Sequence, residues 1–257
     1  MRFAYRRLSS VGLAAATVVA VASGSAAVAG ALKDVKPHEA VTRAHTMPIQ
    51  GIDVSYWQGD IDWRQVRAAG VQFAFIKATE GGDHLDPMFL RNWHAAKRAG
   101  LARGAYHFIY WCRYASEQAA WFVRNVPRDP DALPPVLDLE WHTHSKTCPG
   151  KISRELALKK IKIILDAMEA HTGKRPIIYT DPAFHKDVLQ GEFKSYHYWL
   201  RSVAAEPDKI YRGRSWAFWQ FTTTGTVPGI KGKVDRNIYN GSPSDWDRVL
   251  RWLEASR

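Results

Sequence analysis

The sequence predicts one α/β domain folded as an incomplete (β/α) barrel. From Gly51 onward, short apolar segments that favour strands alternate with segments of helical pattern, and this alternation indicates a parallel sheet covered by helices. About eight strand segments occur within about 205 residues, and eight strands close a barrel. The later strands follow one another too closely for full helices between them. We therefore expect helices in the first five units and a plainer barrel wall after that.

The predicted strands are short apolar and aromatic runs bounded by turn-forming residues. They cover residues 50–55, 72–77, 102–108, 134–140, 176–180, 196–201, 215–221 and 233–238. Two helices have clear end signals. Asp86-Pro87 combines an N-cap residue with a proline suited to the first helical position, and Gly100 closes that helix. Ser153 opens a helix with an apolar stripe, and Gly173 ends it.

The N-terminal segment, residues 1–29, has the pattern of a secretory signal peptide. Three arginines precede an apolar run over residues 11–22, and Ala27-Val28-Ala29 offers small residues for cleavage. The run is too short for a comfortable membrane span, although an uncleaved anchor extending to Leu32 remains open. We therefore expect an exported protein, periplasmic or extracellular, that contacts a membrane only through this segment if it is not cleaved.

Residues 30–48 have mixed composition, two prolines and no periodicity, so we interpret them as a linker to a single domain over residues 49–257. The formal net charge is +11 and becomes +8 (11 − 3) without the three arginines of the signal segment. A basic protein suits an anionic polymer as its partner. Export favours the cell envelope over nucleic acid, and no basic run interleaved with aromatic residues indicates nucleic-acid binding.

Two cysteines, Cys112 and Cys148, lie in a chain that we expect to be exported. An oxidising compartment favours a disulfide between them, and each lies a few residues beyond a predicted strand end. The bridge would therefore tie two adjacent loops. The alternative is a pair of buried thiols, and a zinc site that uses both cysteines has the wrong spacing.

The most informative strand is the run from Pro134 to Trp141, which contains Asp138 and Glu140 two residues apart. Alternation puts both acids on one face with Val136, about 6.5–7 Å apart at Cα, while the leucines and the tryptophan face the helices. Like charges this close push their pKa values apart, so one carboxyl stays protonated beside an ionised neighbour. The alternative is a solvated strand face.

Two other strands bring acids to the same end of the barrel. Asp53 and Ser55 lie on the inner face of the first strand, and Asp235 lies with Asn237 on the face of the last strand. Because the last strand of a barrel pairs with the first, Asp235 is expected near Asp53. Functional side chains of such barrels stand at one mouth. Four acids gathered there repel one another, which favours a catalytic role over a stabilising one.

Aromatic and amide side chains are predicted at the same rim. Aromatic faces stack on sugar rings, and Gln, Tyr and His can hydrogen-bond to hydroxyl groups. The candidate binding residues are Tyr106, Tyr179, Trp199, Trp219 and Gln220, with Tyr56, Trp57, His107 and Phe108 nearby. For each aromatic residue the alternative is core packing, and His107 is equally compatible with a core histidine whose hydrogen bonds are satisfied.

A series of longer motifs runs in order along nearly the whole chain after the signal and linker, from about Gly51 to Asn240. The motifs are Gly51-Ile52-Asp53-Val54-Ser55, Trp57-Gln58-Gly59, Ile61-Asp62-Trp63, Phe75-Ile76-Lys77-Ala78-Thr79-Glu80-Gly81, Arg103-Gly104-Ala105-Tyr106-His107-Phe108, Asp138-Leu139-Glu140, Pro176-Ile177-Ile178-Tyr179-Thr180 and Trp219-Gln220. Together they resemble the motifs of the glycoside hydrolase family 25 lysozymes.

The resemblance implies a TIM-like (β/α)5(β)3 barrel and N-acetylmuramidase activity on the β-1,4 bond between N-acetylmuramic acid and N-acetylglucosamine. It makes Glu140 the general acid, Asp138 the assisting carboxylate, and Asp53 and Asp235 the remaining pocket acids. It also implies net retention in which the acetamido group of the substrate attacks, whereas the residues alone allow either stereochemical class. The departures are an insertion at His142-Thr143-His144, the cysteine pair and Arg236 beside Asp235, which leave preferences at the rim open.

We therefore expect a monomeric enzyme that acts on peptidoglycan glycan strands without a metal or other cofactor. One alternative is a metal-dependent envelope hydrolase, because Asp138, Glu140, His142 and His144 share one alternation register. The other is a wall-binding module without catalysis, which would not need an acid pair.

Overall fold

Eight strands of the described chain close into a barrel in the computed structural model, which describes residues 32–143 and 145–255. The predicted signal peptide, residues 1–29, lies outside the described residues. All eight predicted strands are confirmed, with small shifts at their ends. The strands are β1 (Lys33–Asp34), β2 (Gln50–Val54), β3 (Val71–Glu80), β4 (His84–Leu85), β5 (Ala102–Phe108), β6 (Val136–Leu139), β7 (Ile177–Thr180), β8 (His197–Arg201), β9 (Phe218–Thr226) and β10 (Val234–Tyr239).

Helices cover the outside of the first five barrel strands, as the sequence predicts. The helices of the described residues are α1 (Thr42–Thr46), α2 (Trp63–Ala68), α3 (Phe89–Arg98), α4 (Ala115–Asn125), α5 (Arg154–Thr172), α6 (Pro182–Phe184), which runs into a π-helix at His185–Leu189, α7 (Pro207–Ile210) and α8 (Pro243–Ala255). Short 3₁₀ turns occur at Glu39–Val41 and Tyr56–Gln58. None of the helices in the described ranges is long and apolar enough to cross a membrane.

The predicted helix ends are right for α5 and shifted for α3. The Ser153 hydroxyl accepts a hydrogen bond from the Leu156 N–H, and Gly173 ends α5 in the left-handed conformation with φ 71°. The helix predicted to open at Asp86-Pro87 instead begins at Phe89. Asp86 does not cap it, because its carboxylate accepts hydrogen bonds from the backbone N–H groups of Tyr56 and Met88, both at 2.9 Å.

The direction of the last strand differs from the parallel sheet that the alternation predicts. The strands from β2 through β3, β5, β6, β7 and β8 to β9 are parallel neighbours, whereas β10 runs antiparallel to both β9 and β2. The reason is the connection over residues 227–233, which is shorter than the dozen or so residues that a parallel crossover needs. The predicted pairing of last and first strands is confirmed, with Asp235 opposite Asp53.

Aromatic and branched side chains fill the barrel below its mouth. Phe73 and Phe75 of β3 contact Phe218 of β9, with ring centroids 5.1 Å apart in both pairs. Gly51 of β2 is required by this packing, because a Cβ there would lie 2.3 Å from the Phe73 ring. Trp246 of α8 packs on Phe73 at 5.5 Å and closes the far end. The barrel is therefore solid beneath the mouth.

The segment before β2 differs from the linker that its composition suggests over residues 30–48. Strand β1 pairs with β9, and Val41 and Ala44 are buried against the outward faces of Trp219 and Phe221. The short connection between β9 and β10 provides no helix to cover these large aromatic side chains. The described part of the segment takes the place of that helix and is part of the barrel wall.

The predicted disulfide between Cys112 and Cys148 is confirmed, with the two Cα atoms 5.5 Å apart. Cys112 lies in the loop after β5, and Cys148 lies in the loop after β6. The bridge therefore ties together the two loops beside the end of strand β6.

Candidate active site

The four acids predicted at one mouth line a single cavity of about 240 Å³ at the carboxyl ends of the parallel strands. Asp235 is the second residue of the antiparallel strand β10, and it lies at the same mouth. The cavity is lined by Asp53, Val54, Ser55, Trp57, Gln58, Lys77, Tyr106, Phe108, Asp138, Glu140, Tyr179, Trp199, Gln220 and Asp235. A larger cavity of about 450 Å³ lies at the opposite end, beside α8, and none of the four acids lines it.

Asp138, which is buried, and Glu140, which is half-buried, form the centre of the site. Asp138 is on β6, and its inner-face neighbour Val136 packs in the barrel interior, while Leu137 and Leu139 face the helices as predicted. Burial raises the pKa of Asp138 well above its usual value, and the charge of Glu140 raises it further. The Asp138 Oδ1 atom is buried without a hydrogen-bond partner among the described residues. An ionised carboxylate is therefore costly at this position.

Glu140 follows β6 and has its pKa raised to about 7. Burial is the largest cause, and the negative charge of Asp181 at the end of β7 is the next. The positive charge of Arg201 acts in the opposite direction. A carboxyl with a pKa near neutrality can hold a proton and still release it, which suits a general acid.

Asp53 is held by two side-chain amides from neighbouring strands. Its Oδ2 atom accepts hydrogen bonds from Asn237 Nδ2 at 2.8 Å and from Gln220 Nε2 at 2.9 Å. The amide oxygens are occupied in turn. Tyr179 donates its hydroxyl to Gln220 Oε1, and Trp199 donates its indole N–H to Asn237 Oδ1, both at 2.8 Å. These bonds leave each amide nitrogen directed at the acid.

Asp53 and Asp235 both have raised pKa values, to different extents. Burial raises the pKa of Asp53 to about 6, and the two amide hydrogen bonds oppose that rise. Burial, together with the charge of Asp53, raises the pKa of Asp235 to about 8. Asp235 receives a single, longer hydrogen bond from Gln220, at 3.3 Å. The two acids therefore differ in how strongly their ionised forms are stabilised.

Most of the predicted binding residues line this cavity, and one does not. Tyr106, Tyr179, Trp199 and Gln220 line it. Trp219 is fully buried on the outer face of β9 and donates its indole N–H to the Ser202 carbonyl at 2.7 Å. The prediction for Trp219 is therefore corrected. Neighbouring residues of a strand face opposite sides, so Trp219 and Gln220 cannot both point into the barrel.

His107 is a core histidine, which is the alternative that the sequence left open. Its Nδ1 atom lies 2.8 Å from the Thr79 hydroxyl, and its Nε2 atom lies 3.4 Å from Gln118 Oε1. Burial lowers the pKa of His107 to about 4, so the ring is neutral near neutral pH.

Three charged residues at the mouth were not identified from the sequence as site residues. Lys77 lines the cavity, forms a 2.5 Å ion pair with Glu80 and lowers the pKa of Asp138. Asp181 directly follows β7, Arg201 is the last residue of β8, and both change the pKa of Glu140. The sequence did contain a signal for the two cations. Lys77 and Arg201 each lie two residues beyond an inward aromatic residue of the same strand, so alternation places them on the inner face as well.

The metal-hydrolase alternative lacks a ligand set in the described residues. His144 lies outside them, and the His142 ring stacks on Phe108 with centroids 4.4 Å apart. Among the described residues, no three His, Cys, Asp or Glu side chains are arranged to hold a metal ion.

A barrel mouth with an acid pair, further acids held by amides, and aromatic walls has the features of a glycosidase site. The model of the family described as Glycosyl hydrolases family 25 matches residues 52–230. The chain belongs to this family, which confirms the resemblance seen in the sequence, and it is a glycosidase.

Three relatives illustrate the match. The uncharacterised protein YegX of Escherichia coli K12 is 42% identical over 200 residues, which is 76% of this chain and 70% of that protein. Lysozyme M1 of Streptomyces globisporus is 36% identical over 207 residues, or 77% of this chain and 70% of the relative. The structure of a family 25 glycosyl hydrolase from Bacillus anthracis has a TM-score of 0.75 and 34% identity, and it covers 84% of this chain and 98% of its own.

Proposed function

We propose that this glycosidase is a muramidase that cleaves the β-1,4 bond between N-acetylmuramic acid and N-acetylglucosamine in peptidoglycan. The observation that carries the proposal is the pair of Asp138 and Glu140, which line the same cavity at the mouth of a family 25 barrel. The name of Lysozyme M1 supports the same reaction class. Exposed Trp57 and the cavity-lining Tyr106 and Phe108 provide aromatic faces for sugar rings beside the acids.

Glu140 is the general acid in this proposal. With a pKa near 7 it holds a proton below neutrality and gives it to the leaving oxygen as the glycosidic bond breaks. The transition state is oxocarbenium-like, so positive charge develops on the sugar. The carboxylates of the site that are ionised stabilise that charge, and their interaction with it grows as the bond breaks.

Asp138 assists the acetamido group of the substrate, which attacks the anomeric carbon and gives net retention. Its buried position next to Glu140 supports this role, because protonation of Glu140 removes a negative charge that raises the pKa of Asp138. When Glu140 holds the proton, Asp138 is free to accept a hydrogen bond from the acetamido N–H. This bond orients the amide oxygen and stabilises the cyclic intermediate. Asp53 and Asp235 bind sugar hydroxyl groups and set the charge balance of the site.

The protein works outside the cytoplasm, as a monomer whose residues 1–29 are removed as a signal peptide. The basic composition and the Cys112–Cys148 disulfide support an oxidising, envelope-facing location. Mass spectrometry of the mature protein, expressed with its native N-terminus, tests the cleavage site.

Digestion of purified peptidoglycan tests the reaction itself. The new reducing end is identified by reduction with borohydride followed by mass spectrometry. We expect N-acetylmuramic acid at that end, while N-acetylglucosamine would contradict the proposal. The Glu140→Gln variant is the matched control for contaminating hydrolases.

A separate experiment tests substrate assistance. If the acetamido oxygen attacks, a thiazoline mimic of the cyclic intermediate should inhibit tightly, because an active site binds the transition state and nearby intermediates best. Deacetylated wall should then resist cleavage. A covalent sugar adduct on Asp138 in intact-protein mass spectra, with normal cleavage of deacetylated wall, would refute substrate assistance and leave the muramidase reaction standing.

A further inference from the structure

Arg201 is the last residue of β8, and its positive charge acts on Glu140, Asp53 and Asp235 although it does not itself line the cavity that they share. Trp199, two residues earlier on β8, packs in the barrel interior, while Leu200 faces the helices. Alternation therefore directs the Arg201 side chain toward the mouth. In the sheet Arg201 pairs with Gln220, whose amide contacts both Asp53 and Asp235.

The backbone of Arg201 is held firmly. The Tyr211 hydroxyl donates to the Arg201 carbonyl at 2.5 Å, and the next residue, Ser202, donates its N–H to the Gln220 carbonyl at 3.0 Å. The half-buried guanidinium forms no hydrogen bond or ion pair with any other residue in the described ranges. Lys77, the cation across the mouth, is by contrast paired with Glu80 at 2.5 Å.

The charged and titratable groups that respond to Arg201 are Glu140, Asp53, Asp235, Tyr179 and Tyr211. If the guanidinium served only to neutralise one of these acids, a direct ion pair with that acid would be expected. A planar fork of N–H donors without a partner instead suits a carboxylate that arrives with the ligand, because guanidinium and carboxylate match in a bidentate geometry.

We propose that Arg201 binds a carboxylate of the peptidoglycan substrate, carried on the lactyl group of the muramic acid or on the stem peptide. The inference rests on the proposed muramidase function and adds a specificity determinant to it. Arg201 then makes the enzyme prefer substrates whose carboxylate near the cleaved bond is free over substrates in which it is amidated or esterified.

Four soluble glycan fragments separate the two carboxylate sources. Two carry stem peptides, with the peptide carboxylates either free or amidated. The other two lack peptides and have the lactyl carboxylate either free or as a methyl ester. For each fragment, kcat/KM is measured with the wild type, Arg201→Gln, Arg201→Lys and the control Arg98→Gln. Arg98 is an exposed residue at the end of α3, on the opposite side of the barrel, and its substitution removes the same charge.

We expect Arg201→Gln to lower kcat/KM about ten- to a hundredfold on the fragment whose carboxylate is bound, the usual worth of a charge-assisted hydrogen bond. On its neutralised partner the loss should be smaller, because a neutral carbonyl forms a weaker hydrogen bond with Arg201 than a carboxylate does. Arg201→Lys should be intermediate, because it keeps the charge and loses the fork. Selectivity within the peptide pair assigns the stem peptide, and selectivity within the peptide-free pair assigns the lactyl group.

An equal loss on all four fragments, or no loss on any, would overturn the proposal. If the protein were not a muramidase, the wild type would cleave none of the four fragments, and this result differs from an equal loss in the variant. Calorimetric binding of the same fragments to Glu140→Gln, with and without Arg201→Gln, still reports whether Arg201 distinguishes free from blocked carboxylates. Thermal unfolding of each variant confirms that the barrel is intact.

Discussion

Asp181 offers a way to move the proton of Glu140 without touching Glu140 itself. After burial, the Asp181 charge is the next cause of the raised pKa of Glu140. Asp181 also caps α6, since its Oδ1 atom accepts the Phe184 N–H at 2.7 Å. Asparagine caps a helix about as well as aspartate. Asp181→Asn should therefore remove the charge and keep the local structure.

The expected change in the pH profile follows from the protonation state of Glu140 that is active. The donor must be protonated, so activity is present below a pH of about 7 and is lost as the pH rises through that value. Removing the negative charge of Asp181 lowers the pKa of Glu140. A unit charge several ångströms away is worth about half to one pH unit at the effective dielectric constant of a protein. The alkaline limb of the profile should shift down by that amount, which lowers kcat/KM about three- to tenfold on that limb.

The assay is kcat/KM on soluble peptidoglycan across the pH range, because this parameter reports the pKa values of the free enzyme. Asp166→Asn is the matched control. Asp166 lies on α5, paired with Lys162 on the outer wall, so the same charge is removed away from the mouth. An alkaline limb that stays in place in Asp181→Asn, or moves to higher pH, would refute Glu140 as the group that the limb reports.

Three further predictions test the acid, the buried charge and the disulfide. Glu140→Gln should lower the rate about 10²–10⁴-fold while wall binding in a sedimentation assay survives, and more than about a tenth of wild-type activity would show that the acid is misassigned. The pKa of Asp235 rises from 3.8 to about 8 on folding, so its contribution to stability is present at low pH and lost as the pH rises through about 8. Asp235→Asn should therefore raise the melting temperature relative to wild type at about pH 9 but not at about pH 4, and a gain independent of pH would contradict this reasoning. Reduction of Cys112–Cys148, which closes a separation of 36 residues, should lower the free energy of unfolding by up to about 3–4 kcal/mol in denaturant titrations; two reactive thiols in the oxidised, denatured protein would rule out the bridge.

Local alternation was enough to predict the acids and the strands that carry them. Ile52 and Val54 pack against the helices, as the period of two requires, which leaves Asp53 to face the mouth. The same rule assigned Asp138 to the inner face. These features depend on a few consecutive residues and on strand order in a closed barrel, so the sequence was sufficient.

Features that depend on distant parts of the chain could not be predicted in this way. The cover over Trp219 comes from a segment whose own composition has no periodicity, and the apolar outer face of β9, which has no helix to cover it, explains why the segment folds there. The error at Trp219 was avoidable, because Gln220 already occupied the inward position. The effects of Asp181 and Arg201 on Glu140 depend on burial and on distances between separate strands, and a sequence contains neither.

Asp53 and Asp235 receive different numbers of hydrogen bonds, and this difference determines which of the two acids is ionised. Two short amide hydrogen bonds, from Gln220 and Asn237, favour the ionised form of Asp53, whereas Asp235 shares one longer bond and keeps its proton to higher pH. Near neutral pH the negative charge is therefore concentrated on Asp53. That charge in turn helps to raise the pKa of Glu140. The amides thus act on the general acid through Asp53, since by holding one carboxyl ionised they help to keep the other protonated.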